Sequence, residues 1–385
     1  MRFGAFVPQG WRLDLVGIDP ALHWGVMDGL ARRFDAVHAW ESLWVYDHFH
    51  TVPKPSDEAT HEAWTLMAAF AASTNRIRLG QMCTCMAYRN PAYLAKVAAT
   101  VDIISGGRVE MGIGAGWYEH EWRAYGYGFP EARDRLGALR DGAEIFRQMW
   151  TTGSATYAGT YYTVDGAICA PRPLQGTAAP GSPANGIPMW VAGGGEKVTL
   201  KIAAKYADYT NFFGDLEEFT RKNEILKAHC AALGRDEAEI VRSINVNVFI
   251  GETEVELNDR LEWYADHRIR VCGLPEAAVR REIDGLHGSV GCGTPEQVVE
   301  RLAALRRAGL GYTIAYFADA AYDTTSIDLF ERAVMHARNA GVRMVFIHAL
   351  TENTAMLRIA SNAGAVVQRD GSESEAYLQL PPAGI

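Results

Sequence analysis

The first 335 residues of the chain alternate between short runs of β-branched and aromatic residues and longer amphipathic segments. Such alternation is typical of repeated strand–helix units and a parallel sheet. Eight units predict an α/β fold, a (β/α)8 TIM barrel, in which the strand ends converge on one rim and carry the catalytic groups. The eight short runs lie at residues 2–7, 43–46, 77–83, 109–113, 187–191, 209–213, 244–250 and 312–317.

Two segments interrupt this alternation and predict insertions in the barrel. The sequence TYAGTYYTV, within residues 155–170, is typical of a hairpin with Gly159 in its turn, and a linker rich in Pro and Gly follows it up to Gly186. Residues 266–293 predict a helical excursion or lid, which we place on the rim that carries the strand ends.

The character of the sequence changes after residue 326. It predicts a helix over 327–339, a strand over 342–349, a helix over 353–362 and two strands around Asp370 and Gly371. A closed barrel needs only the first of these helices. We therefore divide the chain into a barrel of residues 1–335 and a small C-terminal α/β appendage of residues 336–385.

Composition argues against several classes of protein. The net charge of −9 disfavours a general nucleic-acid surface. No stretch approaches the roughly 20 apolar residues of a membrane span, and the N-terminus shows no targeting signal, so we expect a cytoplasmic protein without a membrane partner. Of the six cysteines only Cys83 and Cys85 are close, without a second ligand pair, so no metal site is predicted.

The sequence WVYDHF, residues 44–49, ends a strand with an acid beside a histidine. Ionisable groups at the strand ends of a barrel face the cleft, and a histidine exchanges protons near neutral pH. Asp47 and His48 are therefore our candidate catalytic residues, with His48 as the proton donor or acceptor. The structural alternative is that Asp47 caps a helix and His48 is packed.

Another strand ends in the glycine-rich sequence GIGAGW, residues 112–117. Its glycines allow a ligand or another backbone to approach closely. No acidic residue follows on a second strand in the register of a dinucleotide-binding fold, so a nicotinamide fold is disfavoured. Crowding at the barrel mouth explains the glycines, whereas Trp117 at an exposed tip indicates a planar ligand that stacks there.

The sequence GGGEKVT, residues 193–199, follows the fifth strand and opens a helix. Backbone N–H groups at a helix start, together with Lys197, favour an anion. The Gly-Lys-Ser/Thr ending of a nucleotide P-loop is missing, so a single phosphate is the natural ligand. A simple tight turn is the alternative.

These motifs, in this order, resemble the luciferase-like monooxygenase superfamily, most closely its oxidoreductases that depend on the deazaflavin coenzyme F420. The resemblance extends over roughly residues 1–335. It implies a (β/α)8 barrel, a flavin or deazaflavin across the rim, hydride transfer at its ring, and a non-prolyl cis peptide, which we place at Met82–Cys83. The matching segments are WVYDHF, RIRLGQMCTCMAYRNP, GRVEMGIGAGWYEHEW and PMWVAGGGEK followed by KYAD.

The resemblance also implies roles for individual residues. Asp47 and His48 match the acid and the histidine beside the deazaflavin ring. The strand that backs the ring matches Met82, Cys83 and Thr84. The loop that holds the cofactor phosphate matches Gly193, Gly194, Gly195, Glu196 and Lys197. The predicted cofactor site is completed by Gly114, Ala115 and Trp117.

One departure from the family pattern bears on the substrate. In the sugar-phosphate dehydrogenases of this group a glutamate follows the glycine motif and serves as the acid, whereas this chain has Trp117 there. Glu119 or Glu121 is available to serve as the acid in place of that glutamate. The departure argues against sugar-phosphate oxidation and leaves the small-molecule substrate unspecified.

Four functions are compatible with these features. The first is hydride transfer between coenzyme F420 and a small organic substrate, and the second is FMN-dependent monooxygenation on the same barrel. The third is a barrel that binds a flavin without turnover. The fourth is CoA-dependent acyl transfer through the tail, because residues 346–381 resemble the last third of a GNAT acetyltransferase.

The tail carries two further expectations. The pyrophosphate-binding glycine motif of the GNAT family is not recognisable in the sequence, so acetyl transfer is not expected. A partial sheet with an unpaired edge predicts pairing with a partner. The family resemblance separately implies a homodimer.

Overall fold

The structure is a computed structural model that describes residues 1–175, 186–339, 344–350, 366–370 and 373–379. Side chains are described for residues 1–175 and 186–335. The chain forms two compact units, Met1–Leu329 and Phe330–Ile385.

The strands were numbered in chain order. They are β1 Arg2–Phe6, β2 Ser42–Val45, β3 Arg78–Gln81, β4 Thr84–Cys85, β5 Val109–Gly114, β6 Ser154–Ala158, β7 Thr163–Ile168, β8 Met189–Ala192, β9 Tyr209–Asn211, β10 Val241–Ile250, β11 Cys292–Gly293, β12 Leu310–Phe317, β13 Met344–Leu350, β14 Val366–Asp370 and β15 Glu373–Gln379.

Helices alternate with the strands in the first unit. They are α1 Pro20–Ala36, α2 Ala63–Ser73, α3 Pro91–Ser105, α4 Glu119–Ala124, α5 Ala132–Thr152, α6 Thr199–Tyr206, α7 Leu216–Leu233, α8 Glu254–Asp266, α9 Glu276–Leu286, α10 Pro295–Arg307 and α11 Thr325–Asn339. Short 3-10 turns occupy Met86–Tyr88 and Glu237–Glu239, and a π turn occupies His267–Val271. Within the described ranges, every helix is too short or too polar to cross a membrane.

Eight parallel strands close into a barrel, which confirms the predicted (β/α)8 fold. Their order is β1-β2-β3-β5-β8-β9-β10-β12, and β12 pairs with β1 to close the ring. In this register Gly4 of β1 lies between Ser42 of β2 and Ile314 of β12. The third predicted strand is divided, because β3 ends at Gln81 and β4 resumes pairing with β5 at Thr84.

Aromatic rings fill the barrel beneath the strand ends. Trp190 stacks on Tyr209 with ring centroids 3.9 Å apart, and Trp44 meets Trp190 edge-on at 4.6 Å. The indole N–H of Trp190 donates to Oε2 of Glu110 at 2.6 Å, so its polar atom is satisfied inside the core. Both tryptophans are fully buried. This aromatic layer closes the interior and confines any ligand to the rim above it.

The bounds of α3 show how local sequence sets the helices. Pro91 occupies the first turn, and Oδ1 of Asn90 accepts the N–H of Ala92 at 2.9 Å, which satisfies one of the free donors at the helix start. The helix ends where Gly106 adopts a left-handed conformation with φ of 69°. The sequence therefore fixes both ends of this crossover between β4 and β5.

Both predicted insertions are present. Strands β6 and β7 form the antiparallel hairpin, and the N–H of Gly159 donates to the carbonyl of Tyr162 at 2.9 Å in its turn. The second insertion contains the π turn, α9 and β11, and β11 extends the sheet by pairing Cys292 with Phe249 of β10.

The second unit contains a small antiparallel sheet in the order β13-β15-β14. The two strands predicted around Asp370 and Gly371 are β14 and β15, with Asp370 paired to Glu373. The helix predicted over 353–362 lies outside the described residues. The pairing of this sheet with a partner stays a prediction.

One glycine of the barrel allows two strands to approach closely, and it gives a test of the fold. A Cβ atom at Gly112 of β5 would lie 1.9 Å from the carbonyl oxygen of Gln81, a backbone atom that cannot rotate away. We expect Gly112→Ala to lower the free energy of unfolding by about 2–4 kcal/mol, because the strands must separate. Urea denaturation followed by circular dichroism measures this loss.

The matched control is Gly29→Ala in the middle of α1. A Cβ atom there meets no heavy atom within 4 Å, and alanine is the better helix former by about 1 kcal/mol. This control should leave stability unchanged or raise it. Equal stabilities of the two variants would contradict the strand register described above.

Candidate active site

A cavity of about 320 Å³ opens at the carboxyl ends of the barrel strands, the end at which TIM barrels place their active sites. We call it the central cavity. It is lined by the segments that follow β2, β3, β5, β8 and β9, and by Asn245 within β10. Its lining comprises Trp11, Tyr46, Asp47, His48, Met82, Cys83, Cys85, Tyr88, Gly114, Ala115, Gly116, Trp117, Tyr118, Leu136, Ala192, Gly193, Thr199, Asn211, Phe213 and Asn245.

His48 is held in the central cavity by a buried carboxylate. Nδ1 of His48 lies 2.9 Å from Oε2 of Glu121, which is fully buried at the start of α4. The same carboxylate accepts the backbone N–H groups of Phe49 at 2.7 Å and His50 at 2.9 Å, and the hydroxyl of Tyr88 at 2.9 Å. Glu121 therefore fixes both the imidazole and the backbone that follows it.

These contacts determine the proton arrangement of the pair. Burial alone would raise the pKa of Glu121, but the hydrogen bond and charge of His48 and the two backbone donors outweigh it and lower the pKa below its ordinary value. The carboxylate is thus ionised near neutral pH and only accepts, so Nδ1 of His48 carries a proton. Nε2 makes no hydrogen bond among the described residues and is the atom free to exchange a proton with a substrate.

Aromatic rings fix the plane of the imidazole. Trp11, in the loop after β1, stacks on His48 with ring centroids 4.2 Å apart and an angle of 2° between the planes. Trp117 and Tyr118 approach the histidine edge-on at 5.8 Å and 6.0 Å. Trp117 is 61% exposed, so it stands at the mouth, as its position at a strand tip predicts.

The carboxylate of Asp47 is held by hydrogen bonds and positions the backbone around it. Its carboxylate is buried, accepts the N–H of Cys85 at 2.9 Å and forms a two-pronged pair with Arg89 at 2.8 Å and 3.0 Å. Arg89 also binds Glu62 at 2.6 Å. Burial opposes the charge of Arg89, but Asp47 and Glu62 outweigh it and keep the pKa of the guanidinium raised. Asp47 therefore ties the end of β2 to β4 and to the segment that follows β4.

The segment between β3 and β4 forms one wall of the central cavity. Its Met82–Cys83 peptide bond is cis, as predicted. Burial, with a smaller contribution from Asp47, raises the pKa of Cys83 to about 12, so its thiol is neutral and a poor nucleophile at physiological pH. Thr84, predicted with this wall, is buried outside the cavity lining and donates its hydroxyl to Gln81.

The glycines of GIGAGW are explained by this wall. A Cβ atom at Gly114 would lie 2.4 Å from Sγ of Cys83, and one at Gly116 would lie 2.5 Å from Sγ of Cys85. Both glycines also line the central cavity. Crowding between neighbouring strands therefore requires them, which agrees with the structural alternative.

The glycine loop after β8 reaches the same cavity through Gly193. Gly193 lines the cavity with φ of 116°, a backbone conformation that residues other than glycine rarely adopt. Its N–H donates to the carbonyl of Asn211 at 2.8 Å. The N–H groups of Gly194, Gly195 and Glu196 donate to no acceptor within the described residues. Unsatisfied donors in succession beside a helix start are suited to an anion.

Lys197 points to a different surface from the one predicted. It lines a groove of about 570 Å³ that adjoins the central cavity through Leu136. We call it the basic groove, because five cations line it: Arg133, Arg140, Lys197, Lys201 and Lys205. Glu196 pairs with Arg221 and is absent from both linings. A cation that the sequence analysis missed, Lys222, stands 2.5 Å from where a Cβ atom of Gly194 would lie.

The structure gathers most but not all predicted site residues. The central cavity is lined by Asp47, His48, Met82, Cys83, Gly114, Ala115, Trp117 and Gly193. The residues predicted for the site that lie outside its lining are Thr84, Gly194, Gly195, Glu196 and Lys197. Sequence reasoning missed Trp11, Tyr46 and Asn245. The rule that strand ends face the cleft, applied to the second strand in full, would have found Tyr46, whereas Trp11 lies in the loop well beyond β1 and Asn245 lies within β10.

The fold and this rim are those of a TIM-barrel enzyme, and comparison with known families gives the family. The family model described as luciferase-like monooxygenase matches residues 1–311, so the chain belongs to this family. The match does not reach residues 336–385, whose resemblance to an acetyltransferase stays a prediction.

Several relatives in this family carry the same enzyme name. The F420-dependent glucose-6-phosphate dehydrogenase of Amycolatopsis mediterranei (strain U-32) is 33% identical over 170 residues, which are 43% of this chain and 46% of the relative. The enzyme of that name from Kineococcus radiotolerans is 30% identical over 229 residues, 58% and 64% of the two chains. The one from Nocardia farcinica is 28% identical over 319 residues, 77% and 88%. The first two alignments thus span less than two thirds of the relatives.

Solved structures show the same fold. An F420-dependent secondary alcohol dehydrogenase in complex with an F420–acetone adduct superposes with a TM-score of 0.69 at 20% identity, covering 88% of this chain and 99% of that one. The oxygenating constituent of a type II Baeyer–Villiger monooxygenase from Pseudomonas putida, in complex with FMN, gives 0.61 at 19% identity, covering 86% and 96%.

The buried Glu121 generates a test that needs no substrate. Its folded-state pKa lies below the ordinary value of 4.5, so its contribution to stability is present above about pH 4.5 and is lost as the pH falls through the lowered pKa. We expect Glu121→Gln to lower the free energy of unfolding at pH 7 by about 1–3 kcal/mol, because an amide cannot accept from all four donors. The difference in the free energy of unfolding between this variant and the wild type should become smaller towards pH 3.

Urea denaturation from about pH 3 to pH 7 measures both curves. The matched control is Glu119→Gln, two residues earlier on the exposed face, where the carboxylate pairs only with Arg123. A surface pair of this kind contributes at most about 1 kcal/mol. Parallel pH profiles for wild type and Glu121→Gln would show that the buried carboxylate is not charged.

Proposed function

We propose that the protein is an oxidoreductase that transfers a hydride between coenzyme F420 and a small organic substrate. One observation carries the proposal: a histidine with a free Nε2, backed by an ionised buried carboxylate, shares a cavity with Gly193. The N–H groups of the next three residues, just outside that cavity, donate to no acceptor within the described residues. A proton-transfer group and an anion site on one barrel rim are what a phosphate-bearing hydride carrier needs.

The residues around the central cavity fit such a cofactor. The flat wall formed by Met82 and Cys83 would back its ring, with His48 on the rim beside it. The free N–H groups of Gly194, Gly195 and Glu196 would donate to its phosphate oxygens. The basic groove next to this loop would attract further negative charge on the cofactor.

The roles of the protein residues follow from the geometry. When bound, the deazaflavin supplies or takes up the hydride. His48 takes the proton from a substrate hydroxyl, or returns it to a carbonyl oxygen, through Nε2. Glu121 holds Nδ1 protonated and stabilises the imidazolium that forms, while the stacked ring of Trp11 keeps the imidazole in one plane.

The relatives favour F420 over FMN. The relatives described above are named F420-dependent, and the FMN-dependent monooxygenase remains the second candidate because one superposed structure holds FMN. Non-catalytic flavin binding and acyl transfer through the tail are the remaining alternatives. A cytoplasmic location, expected from the sequence, and a homodimer, implied by the family resemblance, are part of the proposal.

Equilibrium binding to the full-length protein tests the cofactor. We expect F420 to bind more tightly than FMN, and acetyl-CoA to show no saturable binding. Lys197→Ala should weaken F420 about tenfold, because a cation near the phosphate is lost, and should leave the affinity for the dephosphorylated deazaflavin unchanged. Quenching of cofactor fluorescence measures these affinities.

The control for charge is Lys227→Ala, whose exposed ammonium pairs with Glu224 on α7. It should not alter the affinity for F420. Equal weakening of the phosphorylated and dephosphorylated forms by Lys197→Ala would remove Lys197 from the phosphate site. Tighter binding of FMN than of F420 would shift the proposal to the monooxygenase.

Substitution of the histidine tests the mechanism. We expect His48→Ala to lower turnover by about 100-fold or more while F420 affinity changes less than about threefold, because a general acid or base contributes to the transition state rather than to cofactor binding. Turnover is followed by the deazaflavin absorbance with a panel of alcohols, hydroxy acids, ketones and unsaturated acids.

The matched control is His50→Ala, two residues away. His50 is outside the cavity lining, and its Nδ1 lies 3.0 Å from Nδ1 of His120 on the exposed surface. It should retain wild-type turnover. Unchanged turnover in His48→Ala would exclude His48 from proton transfer.

A further inference from the structure

A second cavity, of about 460 Å³, adjoins the central cavity on the side of β10. We call it the side cavity. The two share Trp11, Tyr46, Trp117, Phe213 and Asn245, so a molecule in the side cavity reaches the neighbourhood of His48. The predicted lid segment supplies one wall of the side cavity: Gly285, Leu286, Ser289, Val290 and Gly291.

Arg12 is the only charged residue among the described residues that line the side cavity. It follows β1 and lies with its guanidinium 3.9 Å from the ring centroid of Tyr316. Nη1 of Arg12 donates to Oδ1 of Asn247 at 2.8 Å. The guanidinium stays charged at physiological pH and has five N–H donors, of which the neutral amide accepts one.

The charge of Arg12 is not neutralised by the described part of the chain. No described carboxylate lies within 4 Å of its guanidinium. The nearest candidate, Asp14, is engaged elsewhere: it accepts the N–H of Gly10 at 2.7 Å and the hydroxyl of Tyr316 at 3.0 Å. Asp14 therefore acts on the guanidinium only through its charge, without a direct ion pair. An unpaired cation in a partly dehydrated site costs free energy unless a ligand pairs with it.

A second donor in the side cavity is also unsatisfied. Trp11 lines both cavities, and its buried indole N–H has no acceptor among the described residues. Buried N–H groups in native structures nearly always have a partner. The segment that carries Arg12 therefore holds a second donor for which the described residues supply no acceptor.

The loop that carries these donors is held in a strained shape. Leu13 has φ of 63°, the one positive φ outside glycine among the described residues. Its N–H donates to the carbonyl of Gly10 at 2.8 Å, and Nη1 of Arg268 donates to the carbonyl of Arg12 at 2.9 Å. Strained conformations of this kind persist where the surroundings enforce them and are concentrated at functional sites.

We propose that the side cavity binds the carboxylate of the substrate through Arg12, and that the substrate is a monoanionic organic acid with an apolar or unsaturated body. This inference rests on the proposed function, because it names the substrate class of the same rim. The aromatic rings of Trp11, Tyr46, Trp117 and Phe213 would pack against the body of the acid. The carboxylate would take the free donors of the guanidinium.

The charge balance favours a carboxylate over a phosphate monoester. The next guanidinium, Arg268, is already paired with Glu282 at 3.1 Å, so Arg12 alone offers an uncompensated positive charge. One cation matches one negative charge, whereas a phosphate dianion would leave a second charge unpaired. Arg12 is also absent from the linings of the central cavity and of the basic groove beside the glycine loop, so its proposed ligand is distinct from the cofactor phosphate.

Calorimetric titration of the full-length protein tests the proposal with benzoate, benzamide and phenyl phosphate as probes. We expect benzoate to bind at least about tenfold more tightly than its uncharged isostere benzamide, and more tightly than phenyl phosphate. Arg12→Gln should abolish the preference for benzoate over benzamide, and Arg12→Lys should retain part of it, since the charge remains but the planar fork is lost.

A second variant avoids removing the arginine. Asn247→Asp is isosteric and places a carboxylate at the position that already accepts from Arg12, so it should neutralise the site and remove the preference for benzoate. Thermal melting confirms that each variant is folded. The affinity for F420 should stay within about threefold of the wild type in both variants, because Arg12 and Asn247 lie outside the central cavity.

The outcomes separate this inference from the proposed function. Equal binding of benzoate and benzamide, or an unchanged preference in folded Arg12→Gln and Asn247→Asp, overturns the carboxylate site even if F420 binds. Tighter binding of phenyl phosphate than of benzoate overturns the inference that the substrate is a monoanion. A preference for benzoate that depends on Arg12, in a protein that binds neither F420 nor FMN, supports the anion site and overturns the proposed function.

Discussion

The rim of this barrel depends on one buried carboxylate, that of Glu121. Its two oxygens accept from an imidazole, two backbone N–H groups and a phenol. A buried carboxylate is costly unless its acceptor sites are filled, and here they are filled by groups from the segments after β2 and β4. The same hydrogen bonds that make the charge tolerable therefore fix His48 relative to Tyr88. Stability of the rim and orientation of the proton-transfer group follow from one set of contacts.

Two adjacent residues just after β2, Asp47 and His48, both line the central cavity but are held by different partners. Asp47 is buried against Arg89 and the N–H of Cys85, which anchors the wall containing the cis peptide bond. His48 turns towards Glu121 and keeps Nε2 free. The pair thus combines a rigid backbone anchor with a reactive imidazole, and neither role requires the other side chain to move.

The sequence was most informative where periodicity or strand ends carried the signal. Eight strand runs predicted the barrel, and the strand-end rule found His48 and Gly193. It failed for Lys197, because α6 begins at Thr199 rather than at the lysine and the side chain reaches the outer groove. It also missed Trp11 and Arg12, since their loop is shaped by the left-handed Leu13 and by contacts with the distant Arg268 and Tyr316. Such long-range constraints leave no local pattern.

The placement of positive charge divides the rim into two sides. On the side of β8, unsatisfied backbone donors adjoin a groove with five cations, an environment suited to several negative charges. On the side of β10, one guanidinium stands among aromatic rings and amides, an environment suited to a single charge on an apolar body. His48 and its stacked partner Trp11 lie where the two sides meet. A cofactor and a substrate sorted by charge would thus reach the imidazole from different strand ends of the same rim.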